Sequence, residues 1–112
     1  MNNLEWVKIA DSHQQLETLC NPLYKLQVSE RKVLIHNEGG KFYAFSALCP
    51  HAGFDLSKGK IDAKGNIMCP LHGYKFCIKT GKNTTGEDYK LFVYPLEIRN
   101  DGIYIGIRTS VF

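Results

Sequence analysis

Cys49-Pro50-His51-Ala52-Gly53 and Cys69-Pro70-Leu71-His72-Gly73 constrain this chain more than any other part of it, because each puts a thiol and an imidazole on one short loop. In both, proline follows the cysteine and glycine closes the segment, which stiffens the backbone at one end and frees it at the other. A lone Cys or His carries little information. Two Cys-His pairs built on the same Cys-Pro start are hard to assemble by accident. Together they offer two soft sulfurs and two nitrogens, a donor set that fits either a closed tetrahedral zinc or a [2Fe–2S] centre in which imidazoles replace two thiolates on one iron. A chain with these two loops has to fold so that their tips meet.

The spacing separates the two chemistries. Structural zinc sites commonly use paired cysteines and paired histidines rather than mixed Cys-His pairs, so a structural zinc module is the alternative and not the first reading. Cys-x-His across a proline-stiffened tip lets the two side chains reach different irons of one small cluster. Gly53 and Gly73 are expected to let the backbone approach where a Cβ would collide.

The two loops resemble the Rieske family, whose pattern is Cys-x-His, a spacer of this order, then Cys-x-x-His. The resemblance implies that Cys49 and Cys69 are the thiolate ligands of one iron and that His51 and His72 are the imidazole ligands of the other. It extends beyond the ligands. Ala44-Phe45-Ser46-Ala47-Leu48 enters the first loop as the family's strand does, Tyr74-Lys75-Phe76 and Lys79-Thr80-Gly81 continue the second, and Tyr94-Pro95-Leu96-Glu97-Ile98 with Asn100-Asp101-Gly102-Ile103-Tyr104-Ile105 is similar to the family's closing hairpin.

With 112 residues the chain is read as one domain, spanning 1–112, with room for a small core but not for a second catalytic unit. That excludes a two-domain oxygenase with its own mononuclear iron. The net charge of +3 comes from scattered Lys and Arg, so no nucleic-acid partner is indicated. The amino-terminal residues are polar and acidic rather than signal-like, and no stretch reaches the roughly 20 apolar residues that cross a bilayer. The expectation is a cytoplasmic protein with no membrane partner.

Most segments read as strands, and the fold expected is all-β: antiparallel sheets forming a base of about 1–44 and 82–112, with a cluster-binding lobe of about 45–81 inserted. Trp6 to Ala10 is a short apolar run. Asp11 or Ser12 can cap a short helix in which Leu16, Leu19 and Cys20 share a face, with Pro22 ending it. Tyr24 to Val28, Lys32 to His36 and Lys41 to Ser46 read as strands, the last two joined by Asn37-Glu38-Gly39-Gly40. Gly65-Asn66 marks a further turn. Leu96 and Ile98, then Ile103, Ile105 and Ile107, alternate with polar neighbours and predict a hairpin with one buried face.

The resemblance also implies a function. Four thiolates would leave an oxidised [2Fe–2S] core a dianion, whereas two thiolates and two neutral imidazoles leave it neutral, so it accepts an electron more readily. In high-potential relatives a disulfide joins the loops, at positions held here by Phe54 and Leu71. The serine and tyrosine hydroxyl donors of those relatives are replaced by Tyr74 and Phe76. Fewer donors lower the potential, toward the negative end of the range of roughly −150 to +300 mV. The implied role is a low-potential one-electron carrier, not an enzyme, taking electrons from an NAD(P)H-dependent flavoprotein reductase and passing them to a terminal oxygenase. A nitrite-reductase-like small subunit of a larger reductase is the other reading on the same fold. His51 and His72 would form the exposed edge, and Pro50, Phe54, Pro70 and Leu71 an apolar docking rim. Cys20 and Cys77 are expected to be buried, inert thiols, and His13 and His36 to be ordinary surface or strand residues. Gly86-Glu87 stands where many relatives have Gly-Pro, which leaves the path of 82–90 open.

Overall fold

Val33-Leu34-Ile35 is an unbroken apolar run, and the reason is that both faces of its strand are covered. The computed structural model describes residues 3–21, 23–51, 53–86 and 89–109; Pro22, Ala52 and Glu87 lie outside the described residues. In chain order the elements are β1 (Asn3–Ala10), α1 (His13–Leu19), β2 (Leu23–Val28), β3 (Arg31–Glu38), β4 (Lys41–Ser46), a 3₁₀ turn (Leu56–Lys58), β5 (Lys60–Ile61), β6 (Asn66–Met68), β7 (Lys75–Cys77), β8 (Val93–Tyr94), β9 (Leu96–Arg99) and β10 (Gly102–Thr109). They form three sheets with strand orders β1-β10-β9, β2-β3-β4-β8 and β5-β6-β7. All pairings are antiparallel, so the chain has the expected all-β architecture.

Strand alternation sends successive side chains to opposite faces. Val33, Ile35 and Ala44 point into a base core with Ile103, Ile105 and Ile107 of β10 and Leu16 of α1. Leu34 and Phe45 point the other way, into a second core with Ala47, Leu56, Ile67, Phe76, Ile78 and Leu91, in which Cys49 and Cys69 are embedded. The middle sheet is thus covered on both sides. Leu34 and Leu91 come from stretches assigned to the base, yet they pack the lobe.

The helix begins as expected: the Ser12 hydroxyl accepts from the Gln15 amide at 3.0 Å. Leu16 and Cys20 are buried, but Leu19 is not, because the face that meets the sheet is narrower than the i, i+3, i+4 set. The β9–β10 hairpin pairs Ile98 with Ile103 and Leu96 with Ile105. Its buried face is mostly that of β10, to which β9 adds only partly buried Leu96. β9 is the outer strand, and Ile98 is 66 % exposed beyond the edge of the sheet.

His36 lies buried in β3 with Nε2 at 2.9 Å from Glu38 Oε1, and His13 starts α1, paired with Glu17 at 2.6 Å. Cys20 is a buried thiol that burial pushes up to about 11. Cys77 departs from expectation, being only partly buried. Burial would raise its thiol, but the Thr80 side chain, the amides of Lys79 and Thr80 and the Lys79 charge outweigh it, and its pKa falls below the ordinary value. Among the described residues no helix is long and apolar enough to cross a membrane.

Candidate metal centre

The two ligand loops are copies of one backbone design. In the first, the Cys49 amide donates to the Phe54 carbonyl at 2.8 Å and the Gly53 amide to the Cys49 carbonyl at 2.7 Å. In the second, the Cys69 amide donates to the Tyr74 carbonyl at 2.8 Å and the Gly73 amide to the Cys69 carbonyl at 2.9 Å. Gly53 and Gly73 close these turns at φ 68° and 74°, left-handed values that a Cβ disfavours. No protein atom lies within 4 Å of where either Cβ would stand. The glycines are therefore required by the turn itself, not by the close approach of another part of the chain, which corrects the expectation above.

This common scaffold treats the two kinds of side chain differently. Cys49 and Cys69 are 2 % and 1 % exposed, sunk into the lobe core. His51 is half-buried and His72 exposed. The two imidazoles meet, with Nδ1 of His72 3.2 Å from Nδ1 of His51 and ring centroids 4.7 Å apart. Two nitrogens bound to one tetrahedral metal at about 2.0–2.1 Å stand about 3.3 Å apart. The imidazole pair thus has the separation that one metal atom demands, and the two thiols are buried in the lobe core at the start of the same loops. Among the described residues no three His, Cys, Asp or Glu side chains converge as a single-ion site.

Neighbouring side chains fix the loops. Asp55, just past the first, accepts from the Ser57 amide at 2.9 Å and the Ser57 hydroxyl at 2.7 Å and pairs with Lys25 of β2, joining lobe to base. Lys25 first, then Ser57, lowers the Asp55 carboxyl from 3.8 to about 2. A lowered carboxylate stabilises the fold above its unfolded pKa, and that contribution disappears as pH falls through the folded value. Asp55→Asn is expected to cost about 1–2 kcal/mol at pH 7, the shift being discounted for solvent screening. Denaturant titrations of the two proteins should converge as pH falls from about 5 through 2; a gap undiminished at pH 2 would remove the clasp.

Of the expected docking rim, Pro50, Pro70 and Leu71 are exposed, but Phe54 packs against the lobe core. Leu48 and Phe92, which the sequence did not single out, add exposed apolar surface near the first loop, where the Ser46 amide donates to the Phe92 carbonyl at 2.8 Å. The most consequential omission is Tyr89. Its ring centroid lies 5.0 Å from that of His51, and Tyr74 lies 4.5 Å from His51 on its own account. The available signal was one aromatic residue in the otherwise polar stretch 82–90.

An antiparallel base carrying a lobe on which two Cys-His loops meet defines an iron–sulfur electron-transfer domain. The chain belongs to the Rieske [2Fe-2S] domain family, whose model matches residues 5–95. The 3-phenylpropionate/cinnamic acid dioxygenase ferredoxin subunit of Escherichia coli (strain K12) is 33% identical over 79 residues, covering 70% of this chain and 74% of the relative. Among solved structures, the ferredoxin of carbazole 1,9a-dioxygenase from Nocardioides aromaticivorans IC177 superposes with a TM-score of 0.73 at 27% identity, covering 89% of this chain and 95% of that one. A Mycobacterium tuberculosis protein ascribed to the small subunit of an NADH-dependent nitrite reductase shares the fold with a TM-score of 0.76 at 17% identity, over 97% and 99% of the two chains.

Proposed function

We propose that this chain is a one-electron carrier that receives an electron from an NAD(P)H-dependent flavoprotein reductase and delivers it to a terminal oxygenase. Cys49 and Cys69 would hold one iron of the cluster, and His51 and His72 the other. When bound, the cluster supplies a couple in which one electron converts a ferric to a ferrous iron and is then handed on. The chain's own residues do three things. The buried cysteines anchor the cluster in an apolar core, the His51–His72 pair brings its other side to the surface, and the two Cys-Pro loops keep both pairs in register. The observation that carries this reading is the imidazole pair at 3.2 Å on the surface above two buried thiols. The dioxygenase ferredoxins among its relatives support an oxygenase as acceptor.

Protein purified without oxygen should contain paired iron and acid-labile sulfide, with a midpoint at neutral pH of roughly −150 to −100 mV. The reasons lie in the site: Phe76 is fully buried without a hydroxyl, all four cysteines are thiols, and Leu71 replaces a bridge partner. Protein-film voltammetry measures the midpoint. A value above about +100 mV would place the chain with high-potential members and exclude the ferredoxin role. Stoichiometric zinc without sulfide would support the structural zinc module instead. Pull-down of the acceptor distinguishes an oxygenase from the large subunit of a reductase.

A further inference from the structure

The two proposed histidine ligands are not equivalent. His51 has rings on three sides: Tyr74 at 4.5 Å and 61°, Tyr89 at 5.0 Å and 71°, and His72 at 4.7 Å and 74°, each edge to face. Tyr74 and Tyr89 stack on each other at 6.0 Å and 24°, so they form one continuous aromatic cover against His51. His72 meets only the margin of that cover, with Tyr74 at 6.1 Å and 46°, and is exposed. Tyr74 is delivered by the second ligand loop itself. Tyr89 arrives from the 82–90 segment, with no part in either loop.

We propose that Tyr89 is a positioning residue that, with Tyr74, closes His51 off from solvent and from approaching molecules, leaving His72 as the open edge of the site. The inference rests on the carrier role proposed above and says which histidine that role uses. The physical basis is the aromatic pair. An edge-to-face contact between rings holds them together beyond their simple burial, and a ring anchored by backbone on either side of a loop holds its partner's plane as well as its position. An imidazole that gave Nδ1 to iron would keep Nε2 off the metal, so access to that nitrogen reports whether the ring is covered.

Diethyl pyrocarbonate reads this directly on the cluster-loaded protein. The outer nitrogen first gives its proton to solvent, its freed lone pair then bonds to the reagent's carbonyl carbon, and ethyl carbonate leaves. Peptide mapping by mass spectrometry then gives a rate for each histidine, with partly buried His13 and buried His36 as internal references. In the wild-type protein His72 should be labelled about fivefold faster than His51, the bias that one such ring pair sustains. Tyr89→Ala should bring His51 to within about twofold of His72 while leaving His72 unchanged, and Tyr89→Phe, which keeps the ring, should behave as wild type. Because Tyr89 is 42% exposed and lies outside both cores, the substitutions leave the fold in place. Equal labelling in the wild type, an unchanged His51 rate in Tyr89→Ala, or a Tyr89→Phe protein that matches Tyr89→Ala would each overturn the clamp. Iron and sulfide contents of the same samples report separately on the carrier reading: their absence overturns that reading, whereas a loaded protein with the wrong labelling order overturns only the clamp.

Discussion

Serine in place of Cys49 or Cys69 is expected to leave protein that binds essentially no iron or acid-labile sulfide, because a hydroxyl does not replace a thiolate as a ligand to this iron. The alternatives are built into the same chain. Cys20 is buried in the base core, and Cys77 is a half-exposed thiol beside Thr80; neither shares a loop with a histidine. Cys20→Ser should lower stability by about 1–3 kcal/mol, since it buries a hydroxyl, yet keep the cluster. Cys77→Ser should keep both. Colorimetric iron and sulfide assays with the absorbance spectrum of the oxidised protein decide the matter. A cluster retained in Cys49→Ser, or lost in Cys77→Ser at unchanged fold, would mean that the ligand set is different.

Phe76→Ala should be the most destabilising single change in the lobe, at about 3–5 kcal/mol. The ring is fully buried in β7, opposite Ile67 of β6, and belongs to the cluster of residues that includes both cysteines. Removing it opens a cavity that short strands such as β5 and β7 cannot close, and this loss is a large part of the 5–15 kcal/mol that holds a typical domain together. The cysteines rest on the same core, so cluster content should fall along with stability. Phe76→Leu, which keeps most of the volume, should cost less than about 1.5 kcal/mol and retain the cluster. Guanidinium unfolding of the three proteins measures the differences; a Phe76→Ala cost below about 1 kcal/mol would show that the lobe core is not what supports the thiols.

What could be read from the sequence was short-range chemistry. The Cys-Pro loops, the Ser12 cap and the alternation of Ile103, Ile105 and Ile107 each depend on residues a few positions apart, and the structure places them as read. What escaped depends on who lies next to whom. Ile98 has the same alternation as its hairpin partner, and only the position of β9 at the outside of its sheet leaves it exposed. Val33-Leu34-Ile35 does not reveal that its strand divides two cores. The glycines of the ligand loops were recognised as necessary, but for a crowding that is absent; the need comes from φ alone. Tyr89 was invisible as a site residue because its partner, His51, is far away in the chain and the intervening segment has no periodicity.

The base of that segment has a further consequence. At Gly81 the backbone turns with φ 80°, its carbonyl accepts from the Leu91 amide at 2.8 Å, and a Cβ there would come within 1.9 Å of the Leu91 carbonyl oxygen. The Gly81–Leu91 contact therefore ties together the two ends of the segment, with Leu91 pinned in the core, while its first residues stay stitched to β7: the Cys77 amide donates to the Lys82 carbonyl at 2.9 Å, the Thr84 amide to the Lys75 carbonyl at 2.8 Å, and Asn83 is buried. Whatever is strung between Thr85 and Leu91 adds little strain to the rest, because lengthening a closed loop costs only about 0.6 kcal/mol for each doubling. The part of the segment beyond Thr85 is in that sense exchangeable. Lineages, or protein engineers, can rewrite the surface presented beside the redox edge and so redirect the choice of partner, without renegotiating the scaffold that carries the metal.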